Sequence, residues 1–326
     1  MDALSEVLRV VRLTGAIFIN ARFTAPWCFD SPNADFAAPI LEPGAERVII
    51  FHAITEGECV VQMDGRPTMR LVAGDVIIIP HGDGHVMASE PGLPLQDPPG
   101  RLEDLLTRRP THFTHGGGGA VTRVVCGYLA CDSRLARLLL GGLPPMVREN
   151  VRGSSAGVWL ESSLHYALAE AKSPRPGGAG VLAKLAEVLF IEVLRLHMTR
   201  ESGDPNGWLA GMRDRVVGMA LNALHERPAH PWTLEELAKE SGASRSVLAE
   251  RFQSLVGTSP MQYLTQWRMM LAANLLCGSN TPLARIAEDV GYQTDTAFSR
   301  AFRREFGVPP AAWRRGRRAA SGAPAG

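Results

Sequence analysis

The hydrophobic periodicity of the chain changes near Cys131, and this change constrains the fold more than any other feature. Before it, short apolar runs alternate with turn residues, which predicts the strands of a sandwich or barrel. After it, apolar residues recur at intervals of three and four, which predicts helices. The 326 residues suffice for two hydrophobic cores. We therefore predict a two-domain α+β protein with an N-terminal β-barrel, linker helices and an all-α C-terminal domain.

Four segments of the first region carry strand patterns, at residues 47–54, 59–63, 76–79 and 122–129. Asp64 and Gly65 form a two-residue hairpin signal after the second of them. The segment 90–119 is rich in proline and glycine, which predicts an irregular, mobile excursion from the sheet. These patterns predict a β domain over residues 1–155.

Two connecting helices are predicted next, over residues 158–171 and 181–198. The second has an apolar face larger than an isolated connecting helix needs, which favours a homodimer contact; the alternative is packing against the β domain. The face consists of Leu182, Leu185, Leu189, Val193 and Leu196. The polar stretch 201–206 ends this region of residues 156–206, before a helical domain of 207–316 and a disordered tail of 317–326.

The helical domain contains the same two-helix arrangement twice. In the first copy, Thr233 is predicted to cap a helix while Glu236 reaches back to it as in a capping box. Gly242 then forms a turn, and the second helix buries Leu248 and Phe252. Two helices joined by a short glycine turn are typical of a helix-turn-helix unit.

The second copy repeats this pattern. Thr281 and Pro282 are predicted to be its cap and first-turn proline, and Gly291 its turn. Its second helix buries Phe298. A helix that begins after Ser259 is predicted to hold the two copies at a fixed distance.

The stretch from Gly291 to Pro310, with Trp313 and Arg314, resembles the C-terminal signature of the AraC/XylS family of bacterial transcription regulators. The resemblance covers roughly residues 212–316. It implies two recognition helices that enter successive major grooves on one face of double-stranded DNA. It also implies a sequence-specific transcription regulator, and we interpret it as an activator, which would have RNA polymerase as a further partner.

The resemblance assigns DNA contacts residue by residue. The base-contacting positions of the first unit are Ser246, Ala249 and Glu250, and those of the second are Asp295, Thr296 and Arg300. Glu250 stands where arginine is frequent in the family, so it would accept a hydrogen bond from a cytosine amino group or pair with Arg251. Arg245 then becomes the polar anchor of the first unit, and Arg300 is the foremost predicted base contact. Contacts to phosphate, or structural pairing, are predicted for Arg268, Arg303 and Arg304.

Gly74, Pro80, Gly82 and His85 have the spacing of the second cupin motif, and Gly57 stands where the first motif ends. The β domain therefore resembles the cupin-type sensor of a subset of AraC-like regulators. That resemblance implies a pocket for a small-molecule effector among apolar strand residues.

The predicted polar groups of this pocket are Arg47, His52 and His85. A histidine that titrates near neutral pH favours an anionic effector, and we assign this role to His85.

Cupin enzymes bind their metal through two histidines and a glutamate of the first motif and the histidine of the second. Counting back from Gly57, the glutamate position is Ile50 and the histidine positions fall among residues 44–47, so these ligands are missing and no cofactor is predicted. Two alternative ligand sets remain. A shifted register gives His52, Glu58 and His85. A second cluster, able to bind zinc or sense oxidation, consists of His112, His115 and Cys126.

The charge balance of the helical domain helps to distinguish a specific regulator from a nonspecific DNA-binding protein. The net charge is only +1, but residues 207–326 hold 15 basic and 10 acidic residues. A balance of +5 is modest for purely electrostatic binding, which disfavours a nonspecific nucleoid protein. The rival from another class is a metal-dependent cupin enzyme with a helical accessory domain. The missing ligands and the paired helix-turn-helix units favour a regulator that is not an enzyme.

The sequence also predicts the cellular compartment. No stretch of about 18 apolar residues occurs, and the first residues lack a basic segment followed by an apolar one, so neither a membrane partner nor a secretory signal is predicted. The 5 cysteines include no CxxC pair and leave one over after pairing, which is typical of reduced thiols. We therefore expect a cytoplasmic protein.

Overall fold

The computed structural model describes residues 2–11, 13, 19–42, 45, 47–96, 107, 112–131, 140–152, 157–173, 175–199 and 207–322, the last six of these by their backbone. Their contacts divide the chain into two units. The β unit comprises Leu13–Asp132 and Leu143–Glu201, and the helical unit comprises Met1–Arg12, Ser133–Gly142 and Ser202–Gly326. The predicted boundary at 201–206, two of the histidine positions among 44–47 and most of the segment 97–111 lie outside the described residues.

The β unit is built from two sheets. One is six-stranded, with the order β10-β6-β3-β9-β1-β8, and the other is four-stranded, with the order β2-β7-β4-β5. The strand bounds are β1 Ile19–Thr24, β2 Cys28–Ser31, β3 Arg47–Glu56, β4 Glu58–Gln62, β5 Met69–Val72, β6 Asp75–Ile79, β7 His85–Ala88, β8 His112–Gly116, β9 Val121–Cys131 and β10 Val147–Asn150. The four strands predicted from the sequence correspond to β3, β4, β6 and β9.

Strand β3 is buried on both faces, which explains its nearly continuous apolar sequence. Because side chains alternate along a strand, Val48, Ile50 and Ile54 join the core between the two sheets. Ile49 and Phe51 are buried on the opposite face of the same strand. The face turned towards the other sheet is the one that forms the cavity described below.

Twelve helices are described, three of them in the β unit. In chain order they are α1 Ala3–Val11, α2 Ala34–Leu41, α3 Gly157–Lys172, α4 Gly178–Thr199, α5 Trp208–Arg213, α6 Arg215–Glu226, α7 Leu234–Glu240, α8 Arg245–Val256, α9 Pro260–Gly278, α10 Leu283–Asp289, α11 Asp295–Phe306 and α12 Pro310–Gly322. Helices α2, α3 and α4 belong to the β unit, and the others belong to the helical unit. The two predicted connecting helices are α3 and α4.

Helix α4 packs against strands β9 and β10 of its own unit. Leu189 and Val193 are buried there, while the rest of the predicted apolar face is only half-buried. At the end of the helix, Nδ1 of His197 lies 2.9 Å from a carboxylate oxygen of Glu149 on β10. The centre of the predicted dimer face is therefore used for packing against the β unit itself.

Helix α9 is the central element of the helical unit and contacts α6, α8, α10, α11 and α12. Ser259 and Gln262 form a complete capping box at its start. Its side chains Tyr263 and Trp267 are fully buried. Since it touches the second helix of each helix-turn-helix unit, α9 joins the two units as the sequence predicted.

Several local predictions were wrong. Residues 112–116, predicted as part of an irregular excursion, form β8, because they pair in parallel with β1 about 90 residues earlier. The hairpin at Asp64 and Gly65 has a six-residue loop, residues 63–68, with a turn closed by the bond from Arg66 N to Met63 O. Residues 317–322, predicted as tail, continue helix α12.

Helix α1 was not predicted. Its apolar residues Leu4, Val7 and Val11 recur at helical spacing and are buried. The helix contacts α6 and α9, and the amide of Ala3 donates a hydrogen bond to the side chain of Asn222 at 3.0 Å. The amino-terminal residues thus belong to the helical unit rather than to the strands that follow them in sequence.

Candidate DNA-binding surface and ligand cavity

The first helix-turn-helix unit consists of α7 and α8. Thr233 caps α7 by accepting a hydrogen bond from the amide of Glu236 at 3.1 Å. Gly242 turns the chain with φ 66°, a conformation that favours glycine. The predicted capping box is incomplete, because the carboxylate of Glu236 contacts Nε2 of His230 at 2.7 Å instead of the amide of Thr233. The predicted core residues Leu248 and Phe252 are fully buried.

The second unit consists of α10 and α11 and repeats this plan. Gly291 turns the chain with φ 83°, and Thr294 caps α11 by accepting a hydrogen bond from the amide of Ala297 at 3.2 Å. Pro282 precedes α10 and provides no side-chain cap, so the predicted role of Thr281 was wrong. The inner face of α11 buries Phe298, as predicted, with Phe302 and Phe306.

The side chains assigned to DNA lie on the outward faces of α8 and α11. Those of Arg245, Ser246, Glu250, Asp295, Thr296, Arg300, Arg303 and Arg304 are exposed, and Ala249 is half-buried. Residues three and four positions apart share a helix face, so Ser246, Ala249 and Glu250 share one face of α8, and Thr296, Arg300 and Arg303 share one face of α11. Arg245 and Asp295 are the first residues of the two helices. Each exposed set forms the stripe of its helix. Within the described residues, the three exposed arginines of α11 make no ion pair. Their guanidinium groups are thus available to an external anion.

Glu250 is also without an ion pair in the part of the chain that the structure describes. Arg251, its predicted alternative partner, pairs with Asp214, which also caps helix α6. The pairing alternative for Glu250 was therefore wrong. The stripe of α8 presents one arginine and one carboxylate, whereas that of α11 presents three arginines and one carboxylate.

Arg268 faces inward and has a structural position. Its guanidinium donates hydrogen bonds to the carbonyl oxygens of Pro228 and His230, at 2.7 and 2.8 Å, and lies 5.9 Å from the ring centre of Tyr292. Partial burial lowers the pKa of Arg268, an effect opposed by the nearby Tyr292. The residue thus ties the segment before the first unit to the turn of the second, and of its two predicted roles the geometry supports structural pairing.

Close packing at the turn of the second unit reinforces this connection. A side chain at Gly291 would place its Cβ 2.7 Å from the carbonyl oxygen of Ala229 and 2.9 Å from the guanidinium of Arg268. Only glycine permits the two segments to approach this closely. The relative position of the two helix-turn-helix units is therefore fixed both by α9 and by these contacts.

A buried polar network lies under the first unit. The indole of Trp208 donates a hydrogen bond to the hydroxyl of Tyr263 at 2.6 Å, and that hydroxyl is hydrogen-bonded to Nε2 of His225 at 2.7 Å. Burial lowers the pKa of His225 to about 3, with a small opposing effect of Asp2. His225 is therefore neutral at physiological pH, and its ring packs against Trp267.

The β unit holds a cavity of about 90 Å³ between its sheets. Aromatic rings of Phe23, Phe29, Phe113 and Tyr128 supply much of its wall. The other lining residues are Ile19, Ala21, Ser31, Pro32, Ala37, Leu41, Ile50, His52, Met87, Val124, Cys126 and Gly127. No sequence pattern indicates these aromatic residues, because Phe23, Phe113 and Tyr128 reach one face only through the register of β1, β8 and β9. Phe29 lies on the opposite sheet.

His52 and His85, two predicted pocket residues, are in direct contact. Their Nε2 atoms are 2.9 Å apart, and Nδ1 of His85 lies 3.0 Å from the carbonyl oxygen of Asp83. On the other side, Nδ1 of His52 lies 3.0 Å from Sγ of Cys126, the residue opposite His52 on β9. A carbonyl only accepts, so in the neutral chain the bonds run from Cys126 S–H to His52, from His52 N–H to His85, and from His85 N–H to Asp83.

Both imidazoles are buried, and burial is the main cause that lowers their pKa values. The pKa of His52 lies well below its usual value, with His85 as a second cause. The pKa of His85 is also lowered, although the Asp83 carbonyl and the carboxylates of Asp30 and Asp83 oppose the effect. Burial raises the pKa of the Cys126 thiol to about 12. The chain of hydrogen bonds is therefore uncharged at neutral pH, and the role assigned to a charged His85 is not supported.

Arg47, the third predicted pocket residue, lies outside the cavity. Arg47 lies two positions before Ile49 and therefore points to the same outer face of β3. Its guanidinium lies 3.3 Å from Nδ1 of His81. His81 in turn bonds through Nε2 to the carbonyl oxygen of Leu143 at 3.1 Å. Arg47 therefore does not line this cavity, because neighbouring side chains of a strand point to opposite faces.

Neither alternative metal set is assembled. Glu58 is exposed on β4 and pairs with Arg70, away from the two histidines of the shifted register. The side chains of His112 and His115, three positions apart on β8, point to opposite faces of the sheet. Strand β1 lies between β8 and β9, the strand that carries Cys126. In the described ranges, no group of three or more histidine, cysteine, aspartate or glutamate side chains has an arrangement that could hold a metal ion.

Comparison with known proteins agrees with this architecture. A family model described as cupin matches residues 2–199, and one described as a helix-turn-helix domain matches residues 237–316. The fold and the paired units define the class: a cupin domain joined to an AraC-type DNA-binding domain.

Similarity to individual proteins extends over nearly the whole chain. A Streptomyces lividans protein described as an AraC-like transcription regulator is 33% identical over 97% of this chain and 98% of its own length. The transcriptional regulator AlkR of Acinetobacter baylyi is 30% identical over 96% of this chain and 99% of its own length. The crystal structure of the DNA-binding domain of AdpA with target DNA is 32% identical, covers 33% of this chain and 96% of that chain, and has a TM-score of 0.31. This chain therefore belongs to the family of AraC-like transcription regulators, and it is a DNA-binding protein of the helix-turn-helix type.

No helix among the described residues is long and apolar enough to span a membrane.

Proposed function

We propose that the protein is a one-component activator that binds a specific operator through α8 and α11 and responds to a small molecule bound in the β unit. The observation that carries the proposal is the pair of exposed polar stripes on two helices that share one rigid support, α9. Such an arrangement suits two successive major grooves on one face of the duplex. An activator of this kind also contacts RNA polymerase at the promoter.

Individual DNA contacts follow from the charge and position of each side chain. Arg300, in the middle of the α11 stripe, is suited to donate two hydrogen bonds to a guanine edge, and Asp295 and Thr296 contact neighbouring bases. Arg303 and Arg304, near the end of α11, bind phosphates and set the register of the helix. On α8, Arg245 is the polar anchor of the first unit, and Ser246, Ala249 and Glu250 face base edges.

A mobility-shift assay of the full chain against selected duplexes tests the proposal. We expect one family of sequences to be bound in the presence of excess random competitor at physiological salt. Folded protein that cannot prefer any sequence over the competitor would show that the proposal is wrong.

The effector is proposed to bind in the cavity between the sheets and to shift an equilibrium between conformations with different operator affinity. Its influence can be no larger than its differential affinity for the two conformations. Measuring operator affinity across a panel of small molecules tests the response. A ligand that binds the protein without changing operator affinity would not be its effector.

A homodimer is proposed from apolar side chains that remain exposed on the connecting helices. Trp159 and Tyr166 of α3 are each 45% exposed and, seven residues apart, lie on one face; Val158 beside them is 77% exposed. In sedimentation experiments, we expect Trp159→Glu to yield monomers. Gln62→Glu, an exposed change on β4 and thus off helix α3, introduces the same charge as a control and should leave the dimer intact. A wild-type chain that remains monomeric at tens of micromolar would contradict the dimer.

We further propose that the protein is not an enzyme and that it acts in the cytoplasm, where bacterial DNA lies. Ile50 occupies the glutamate position of the cupin metal site and lines the cavity with an alkyl group. Elemental analysis of protein purified without chelator tests this. Stoichiometric iron or manganese that is lost on His85→Ala would favour the enzyme.

A further inference from the structure

We propose that the cavity between the two sheets binds a small uncharged molecule of single-ring size, held by packing against aromatic side chains rather than by an ion pair. The inference rests on the proposed function, because it names the chemical class of the effector. It differs from the sequence-based expectation of an anionic ligand. Three features of the β unit carry it: the size of the cavity, its lining and the hydrogen bonds of its histidines.

Size limits the ligand to one ring or a short alkyl chain. An apolar cavity of about 150 Å³ in another protein accepts benzene or xenon, so the smaller cavity here accepts one ring at most. The cavity here measures about 90 Å³ and is bounded on one side by the rings of Phe23, Phe29 and Phe113, whose centroids lie 5.9 to 6.2 Å apart. A ring inserted beside them would continue the same edge-to-face packing.

No cationic or anionic side chain is among the described lining residues. The hydroxyl of Tyr128 is directed away, since it donates a hydrogen bond to the carbonyl of Leu41 at 2.7 Å and lies 3.2 Å from the Glu42 carboxylate. Tyr128 therefore contributes its ring, and not its hydroxyl, to the wall of the cavity. Ser31 is the other hydroxyl of the wall, and a hydroxyl carries no charge.

The two histidines cannot both be cations. A separation of 2.9 Å between their Nε2 atoms leaves room for one proton, so protonating both would set two N–H groups against each other. Charging even one buries a cation between apolar sheets, which is why the pKa of each is lowered. Both nitrogens of His52 are already engaged, one with Cys126 and one with His85, so the ring is held in place without a ligand.

A charged ligand would consequently lose its hydration without gaining a partner. A neutral ligand loses little on entry and gains contacts with the rings. The charge of a ligand should therefore affect its affinity for the cavity more strongly than its shape does.

Three probes of one shape test the inference on the full chain: toluene, benzoate and benzylamine. Binding is measured by calorimetry at pH 7.5, where the first probe is neutral, the second anionic and the third cationic. We expect toluene to bind at least about 100-fold more tightly than either charged probe. Benzoate binding as tightly as toluene, or no binding of toluene, would overturn the inference.

Two cavity variants locate the site. Ala21 lines the cavity, so Ala21→Val and Ala21→Leu should weaken toluene binding progressively, and the smaller change keeps the test informative if the larger one prevents folding. Arg47→Gln, on the outer face of the same sheet, is the control and should leave toluene binding unchanged. Toluene affinity that is insensitive to both Ala21 variants would overturn the assignment to this cavity.

The same preparations separate this inference from the proposed function. Specific operator binding together with a preference for benzoate would overturn the ligand class alone. Toluene binding without specific operator binding would overturn the proposed regulator while leaving the ligand class of the cavity intact.

Discussion

The two helix-turn-helix units share a backbone plan but differ beneath it. Each has a glycine turn and a second helix that begins at a hydroxyl cap, Ser244 in α8 and Thr294 in α11. Each second helix ends at a glycine in the left-handed conformation, Gly257 in α8 and Gly307 in α11. Under the first unit lies a hydrogen-bonded network of Trp208, His225 and Tyr263. Under the second lies an aromatic cluster.

That cluster is packed without hydrogen bonds between its rings. The centroids of Phe302 and Phe306 are 4.6 Å apart, and those of Phe306 and Trp313 are 4.7 Å apart. Two different cores therefore support the same external geometry. The comparison teaches that a helix-turn-helix unit requires its turn and caps, whereas its core can be either polar or apolar.

The outward stripes differ as well. Helix α8 carries Arg245 and Glu250, and α11 carries Arg300, Arg303 and Arg304 with Asp295. Since phosphate attraction scales with the number of cations, the second unit should supply more of the affinity. The first unit should contribute mainly by selecting against unsuitable bases.

The largest effect is expected from breaking the connection between the units. Arg268→Ala removes two charge-assisted hydrogen bonds and leaves two carbonyls without their donor, which should lower the free energy of unfolding by about 3 kcal/mol. Urea denaturation of the full chain measures this loss. Arg268→Met, which keeps much of the side-chain volume, separates packing from hydrogen bonding.

The effect on DNA should depend on whether both half-sites are present. We expect folded Arg268→Ala protein to lose affinity for the two-site operator but not for an isolated half-site. An equal loss on both duplexes would mean that Arg268 does not set the position of one unit relative to the other.

The next largest effect concerns base recognition by the second unit. Arg300→Ala should weaken operator binding by about 1 to 3 kcal/mol and relax the preference at one base pair. Competition binding against singly substituted operators measures both quantities. The matched comparison is Arg245→Ala on the first unit, which should relax the other half-site.

Arg303→Ala serves as the control within α11. It should weaken binding to all sequences alike and reduce the salt dependence by about one unit of slope. If Arg300→Ala behaves in the same way, with equal losses on specific and random DNA, its role as a base contact is excluded.

A smaller effect concerns the pH dependence of stability, to which His225 in the core of the first unit should contribute. His225 has a pKa of about 3 in the folded chain, against about 6.5 when unfolded. Its contribution to stability is complete above pH 6.5 and decreases as the pH falls towards 3, because the unfolded chain binds the proton first. Between pH 7.5 and 5.5 the loss attributable to His225 should be about 1.4 kcal/mol.

The measurement is the difference in urea stability between the wild-type chain and His225→Gln at these two pH values. Glutamine accepts the hydrogen bond of Tyr263 but does not titrate, so the comparison removes the contributions of His52 and His85. If the two proteins lose equal stability on acidification, His225 is not the titrating group.

The smallest effect is expected for Glu250→Gln. Removing this carboxylate from the α8 stripe relieves its repulsion from phosphate and should tighten binding to random DNA by less than about 1 kcal/mol. On the operator, the change should weaken discrimination at the position that Glu250 faces. Fluorescence anisotropy with both duplexes gives the two values, and tighter binding without any change in discrimination would reduce Glu250 to a purely electrostatic role.

The sequence by itself determined the features that depend on neighbouring residues. Thr233, Gly242, Gly291 and Phe298 act within a few positions of themselves, so periodicity and turn chemistry sufficed to predict both helix-turn-helix units. The same holds for the strands β3, β4, β6 and β9. Helix α1 is also determined locally, because the helical spacing of Leu4, Val7 and Val11 is visible in the sequence.

Tertiary structure alone decided which distant residues meet. The contact between His52 and His85 spans 33 positions and that between His52 and Cys126 spans 74, and each depends on sheet pairing and register. Register also placed Arg47 outside the cavity, since a shift of one residue exchanges the faces of a strand. Arg268 finds its carbonyl partners about 40 residues earlier in the chain, where no local pattern indicates them. Burial, which follows from these pairings, then lowered the pKa values of the two histidines, one of the observations from which we propose an uncharged ligand.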